Sequence, residues 1–235
     1  MAVFAFKDFT VRQENSPLKV STDAILLGAS VQILHKHLKI LDVGTGNGVI
    51  ALMLASRFDE VHITGIDPSE GAIQDAQFNF GNSRYASRLK AIQTTLSALP
   101  LDQKYDVVVS NPPFFIDSLP AQHALDQQAK HMAEPAYFDL LQDLCLRCHE
   151  AGQIWLILPP LLAAQTLDFC QLQGWNCAQE IHFHANAQKL DKRWVLCLER
   201  NPEKCEVQKY FIRDLDGSYH ADYRKLAGHF HDRPI

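Results

Sequence analysis

The stretch LKILDVGTGNG, residues 38–48, decides the fold. Leu38, Ile40, Leu41 and Val43 make it a near-continuous apolar run, the pattern of a strand buried on both faces. Glycine then falls at every second position, 44, 46 and 48. Such a turn bends tightly and lets a ligand come close to the backbone. Behind it GVIALMLASRF (48–58) is rich in Ala, Leu and Met and reads as a helix. Strand, glycine turn and helix in this order open a parallel α/β sheet. Val49 stands where the dinucleotide fingerprint G-x-G-x-x-G needs its third glycine. No P-loop lysine follows the turn, so triphosphate binding is not indicated.

Outward from this unit the pattern repeats. EVHITGID (60–67) is a second strand, and Asp67 closes it 21 residues after Gly46. A carboxylate there can accept both hydroxyls of a ribose, which leaves NAD and S-adenosylmethionine as candidate ligands. PSEGAIQDAQFNFGNS (68–83) opens on a proline and an acidic first turn, as a helix start should. RLKAIQ (88–93), KYDVVVS (104–110) and GQIWLILP (152–159) are further strands, the last after a helix from about Pro135 to Glu150. STDAILLGASVQIL (21–34) is a helix that Ser21, Thr22 or Asp23 can cap. CAQEIHFHA (177–185) and KRWVLCLER (192–200) are strands with no helix between them, and should pair antiparallel at an edge.

The expected fold is therefore α/β: a doubly wound, seven-stranded, mostly parallel sheet with a C-terminal antiparallel pair. One domain is expected over 1–235, with an N-terminal segment (1–37), a core sheet (38–200) and a C-terminal extension (201–235) that ends in a short helix. Residues 1–20 read as irregular or a short hairpin. Residues 116–134 form the longest expected loop, and a long excursion usually serves a site.

Composition bounds the function. The chain of 235 residues is 47% hydrophobic, enough for one sizeable core. No apolar run reaches the roughly 18 residues of a membrane span, and MAVFAFKDFT has no export-signal pattern. A cytoplasmic protein is expected. Six cysteines (145, 148, 170, 177, 197, 205) then read as reduced, mostly buried thiols. The net charge of -5 does not advertise nucleic-acid binding, but residues 189–235 carry +2 and the rest -7. A local basic face near the C-terminus remains open.

SNPPFF (110–115) ends the fourth strand. In a doubly wound sheet, ligands sit beyond the C-terminal ends of the strands. The Asn111 carbonyl can accept one proton of a planar NH2 group and the Pro112 carbonyl the other. The rings of Pro112 and Pro113 fix the backbone and pre-aim these acceptors. Phe114 offers a face for stacking, worth about 1–3 kcal/mol for a base. Such a grip suits methyl transfer to a conjugated amine. Its lone pair is delocalised, and acceptors on its protons encourage pyramidalisation and free the pair for attack. Positioning and electrostatics then carry the rate, with no shifted general base required.

LDVGTGNG (41–48), GIDPSE (65–70) and NPPFF (111–115), in this order, resemble class I S-adenosylmethionine-dependent methyltransferases of the Asn-Pro-Pro-Tyr/Phe group. PLKVSTDAILLGA (17–29), KRWVLCLE (192–199) and YHADYRKLAGHF (219–230) are similar to signatures of the bacterial tRNA1(Val) (adenine(37)-N6)-methyltransferase family. The resemblance implies that Asp42, Gly44 and Gly46 line the methionine side of the cofactor, that Asp67 holds its ribose, and that Lys19, Thr22 and Asp23 close over it. It implies that Asn111, Pro112, Pro113 and Phe114 hold the target adenine, with Asn111 also touching the cofactor. Thr95 departs from the family, which usually has Asp there against the cofactor adenine; a threonine hydroxyl can still accept that bond.

Rival acceptors are the glutamine amide of a release factor and guanine N2 of rRNA; outside enzymes, the rival is a nucleotide- or RNA-binding scaffold. The partner expected here is tRNA. Lys189, Lys192 and Arg193 stand at a hairpin and can meet phosphates, and Arg224 and Lys225 can extend that face. CLRCH (145–149) matches a haem-attachment pattern, but it falls in a helix and reads as buried thiols. HFH (182–184) can place two histidines on one strand face, with no third ligand near in sequence, so no metal is expected. Neither oligomeric state nor flanking-base preference is legible.

Overall fold

A computed structural model describes residues 3–33, 38–112, 124–233 and 235, and for 124–135 the backbone alone. A small antiparallel hairpin, β1 (Val3–Ala5) and β2 (Thr10–Arg12), precedes α1 (Thr22–Ser30). Then come β3 (Leu38–Val43), α2 (Val49–Arg57), β4 (Val61–Asp67), α3 (Glu70–Gly81), β5 (Leu89–Gln93), β6 (Tyr105–Ser110) and α4 (Ala124–Arg147). β7 (Cys148–Leu158), α5 (Pro160–Leu172), β8 (Asn176–His184), β9 (Asp191–Glu199), β10 (Glu206–Phe211) and α6 (Ala221–Ala227) complete the chain.

The sheet runs in the order β10-β8-β9-β7-β6-β3-β4-β5. All neighbours pair parallel except at β9, which is antiparallel to both β7 and β8. Strand order reverses between β3 and β6, so the crevice for a ligand lies beyond their C-terminal ends. Alternation explains the apolar runs. Ile40, Val107 and Val109 face one core with α1, α2 and α6, while Leu41, Val43 and Val108 face another with α4 and α5. Each such side chain removed from water contributes roughly 1.5–3 kcal/mol. The helix starts are capped as the sequence suggests. Ser21 Oγ accepts from the Ala24 amide at 3.2 Å, and Ser69 Oγ from Ala72 at 3.3 Å.

Five details differ from the sequence reading. Among the described residues the sheet has eight strands, because β10 adds parallel to β8 outside the expected antiparallel pair, and the sheet therefore runs on to Phe211 rather than ending at 200. α5 fills the stretch after β7, for which the sequence reading names no element. α4 is described from Ala124 onward, so the described part of the 116–134 loop is helix. That helix stops at Arg147, and Cys148 and His149 open β7. Cys177 and Cys205 are joined as a disulfide, with Cys205 exposed; Cys145, Cys148, Cys170 and Cys197 are free and buried. Sequence patterns miss the pairing because the two cysteines are brought together by β8–β10 register across 28 residues. Among the described residues no helix is long and apolar enough to cross a membrane.

Candidate active site

Sheet register assembles the site. Val43 of β3 pairs with Ser110 of β6 and with Ile66 of β4. Gly44 and Asn111 therefore leave the sheet side by side. The Ser110 hydroxyl donates to the Val43 carbonyl at 2.9 Å from a buried position and locks that pairing. The Gly44 and Thr45 amides both donate to the Ile66 carbonyl at 2.9 Å, which folds the turn back over β4. Gly44 has φ +72°, a left-handed backbone, and a Cβ there would meet none of the described residues within 4 Å. Gly48 has φ +83°, and its Cβ would lie 2.4 Å from the Phe80 ring, so α2 can start there only from glycine.

A cavity of about 370 Å³ opens over this turn, lined by Gly44, Thr45, Gly46 and Asn47 on one side and Asn111 and Pro112 on another. Lys19, Ser21 and Asp23 form its N-terminal wall. A larger cavity, about 500 Å³, lies by Lys39, His62, Lys104 and His149 at the other end of the strands, where this topology builds no ligand site.

Asp42 is fully buried beneath the turn. Its Oδ2 accepts from the Thr45 hydroxyl at 2.6 Å, and its buried Oδ1 has no hydrogen-bond partner among the described residues. Burial pushes its pKa up from 3.8 to about 7, against the pull of the Thr45 hydroxyl and helped by the Asp67 charge. Asp67 receives the Gly46 amide at 3.0 Å on Oδ2 and the Ser69 amide at 2.9 Å on Oδ1. Each oxygen keeps lone-pair capacity for a further donor. A left-handed turn with open space above it, an orphaned buried carboxylate oxygen and a second carboxylate at the next strand end together fit an amino-acid nucleoside such as S-adenosylmethionine.

The N-terminal wall is held from outside the motifs. Asp75 on α3 is wholly buried and accepts from the Asn15 and Ser16 amides at 2.8 Å each and from Arg12 Nε at 3.2 Å. Asn79 brackets Arg12, accepting its amide and donating to its carbonyl at 2.8 Å, and also donates to the Asn47 carbonyl. This strap carries the chain to Lys19, whose ammonium donates to the Gln13 and Ser16 carbonyls. Sequence reasoning missed Asp75 and Asn79, since their partners lie some 60 residues away; polar residues among the apolar positions of α3 were the available signal.

Other expected residues are placed as follows. Thr22 is exposed at the start of α1. Asp23 receives Arg193 Nε at 2.7 Å, which ties the β8–β9 hairpin to the cavity wall. Thr95 is exposed, with its hydroxyl 3.2 Å from that of Ser97. Lys189 and Lys192 are exposed on the same hairpin. Arg224 and Lys225 are exposed on α6, and Lys225 lines a separate cleft with Arg57 and His229 near the C-terminal end of α1. Pro113 and Phe114 lie outside the described residues.

Residues 22–136 match the family model of the methyltransferase small domain. A tRNA1(Val) (adenine(37)-N6)-methyltransferase of Parabacteroides distasonis is 37% identical, with 97% of each chain covered. One of Pedobacter heparinus is 31% identical, also with 97% of each covered. Among solved structures, a predicted O-methyltransferase from Agrobacterium tumefaciens superposes with a TM-score of 0.67 over 87% of this chain and 95% of that one, at 15% identity. A methyltransferase from Pyrococcus furiosus gives 0.56 over 81% and 89%, at 17% identity. These two speak for the fold.

Proposed function

The chain belongs to the tRNA1(Val) (adenine(37)-N6)-methyltransferase family, and on that premise we propose that it transfers a methyl group from S-adenosyl-L-methionine to N6 of adenosine-37 in valine tRNA. One observation carries the reading: Asn111 and Pro112 share a cavity with the glycine turn 44–47. When bound, the cofactor supplies a methyl carbon activated by a sulfonium. The turn at Gly44 and Gly46 and the carboxylates of Asp42 and Asp67 are the groups that hold it. Lys19, Ser21 and Asp23 form the closing wall, from which the exposed Thr22 is absent, and Thr95 stands in place of the usual acid.

Asn111 orients the acceptor. Its side-chain carbonyl takes one N6 proton and the Pro112 carbonyl the other, which turns the nitrogen lone pair toward the cavity. The excess proton leaves to water. Reaching a base in a loop requires its extrusion from the stack, and the exposed cations of the β8–β9 hairpin, Lys189 and Lys192, with Arg193 beside them, hold flanking phosphates in this reading. We place the activity in the cytoplasm, with tRNA.

The test is methyl transfer from labelled cofactor to an unmodified valine tRNA transcript, with nucleoside analysis and mapping of the modified position. Label as N6-methyladenosine at 37 is expected. Label confined to protein, or at guanine, overturns the reading. Asp67→Ala should raise the cofactor KM more than it lowers kcat.

A further inference from the structure

We infer that the reduced protein binds one zinc ion at the outer edge of the sheet, through Cys177, Cys205 and Glu180. The sulfurs of the two cysteines and a carboxylate oxygen of Glu180 all lie within 4.8 Å of one another. Three atoms that close need only small side-chain rotations to surround an ion with Zn–S near 2.3 Å and Zn–O near 2 Å. A bulge builds the cluster. Register along β8 shifts between Cys177, opposite Leu198, and Gln179, opposite Cys197. The extra residue puts Cys177 and Glu180 on one face, that of Leu198 and Leu196. Glu206 at the start of β10 pairs with Gln179, which delivers Cys205 to the same spot.

Glu180 is held as metal-bound carboxylates are held. Its Oε1 bonds His182 Nε2, the other His182 nitrogen is 3.6 Å from Asp191 Oδ2, and the ring stacks on Trp194 at 4.0 Å and 8°. Two thiolates with a carboxylate place three negative charges together, which a divalent cation offsets. Thiolate ligands select zinc over magnesium or calcium. The joined cysteines open by two-electron reduction: a thiol reductant supplies two electrons and two protons, leaves as its own disulfide, and the ion then displaces both protons. Solvent exposure of Cys205 gives the ion a path in and leaves a fourth position for water. Bound there, zinc clasps β10 and the 200–205 segment to β8.

Cobalt(II) titration into the full chain, reduced with a dithiol that is then removed without air, reads the site directly. One equivalent should produce thiolate-to-cobalt charge-transfer absorption, which zinc then displaces. Cys205→Ser should abolish it, and Glu180→Gln should weaken binding by at least about tenfold. Zinc at a hundredfold excess over its Kd should raise Tm by about 5 °C in the parent and not in Cys205→Ser. Absence of the charge-transfer band, its survival in Cys205→Ser, equal affinity in Glu180→Gln, or thiols that stay paired under the reductant would each overturn the assignment.

Discussion

The centre of the sheet and its outer edge are built by opposite means. At the centre, Asp42, Gly44, Thr45 and Gly46 lie within five residues, and one register, Val43 to Ser110, sets Asn111 beside them. At the edge, Cys177, Glu180 and Cys205 meet only through a bulge and a strand pairing that joins distant segments. The centre is local and over-determined; the edge depends on long-range order. Substitutions should therefore act through chemistry and strain at the first and through docking and binding at the second.

The largest effect belongs to Asn111. Asn111→Ala removes the acceptor proposed for the reacting amine, and should cost about 10²–10³ in rate by analogy with other preorganised groups. Single-turnover methyl transfer should show that fall, with the cofactor KM changed less than about twofold. Full turnover in the variant would break the proposed amine grip.

Strain comes next. Gly48→Ala puts a side chain at φ +83° and 2.4 Å from Phe80, both within the tightly packed centre. A loss of about 2–3 kcal/mol, read as a Tm lower by about 5–10 °C, is expected. Val207→Ala, at a position 65% exposed on β10, should stay within about 2 °C. Equal losses at the two positions would erase the distinction between centre and edge.

Asp42 tests the centre by pH. Its folded pKa of about 7 exceeds its ordinary 3.8, so the folded state binds more protons between those values. Stability from this group is complete below about pH 4 and falls as pH rises to about 7. Asp42→Asn removes that slope and should stabilise the ligand-free protein at pH 8 by about 1–3 kcal/mol, with no gain at pH 4. Chemical denaturation at the two pH values measures it. The carboxylate held at that cost is the one assigned to the cofactor, so the variant should also raise the cofactor KM.

This contrast also explains what was legible in the sequence. The glycine turn, Asp67 and Asn111 sit at strand ends fixed by hydrophobic pattern, so motif and position could be read together. Asp75 and Asn79 were not, because a polar residue on a helix carries no local mark of the strap it holds. β10 and α5 were missed for a related reason. EVQKYF alternates only weakly and is half exposed, and its strand character comes from the open edge of β8. The thiols of Cys177 and Cys205 gave no signal, since their spacing matches no short motif.

The smallest effect separates two surface lysines that look alike in the sequence. Lys189 stands on the hairpin that Arg193 ties to Asp23 at the cavity wall, whereas Lys225 lies beside Arg57 and His229 near the far end of α1. Lys189→Ala removes one exposed cation, proposed above to meet phosphate, from the hairpin. It should raise the tRNA KM about threefold, leave kcat unchanged, and reduce the salt dependence of binding by roughly one counterion. Lys225→Ala should change none of these, because Lys225 lines a different cleft from the one that holds Asn111. If the two variants weaken tRNA binding equally, the RNA crosses the sheet edge toward α6, and the hairpin is not its principal support.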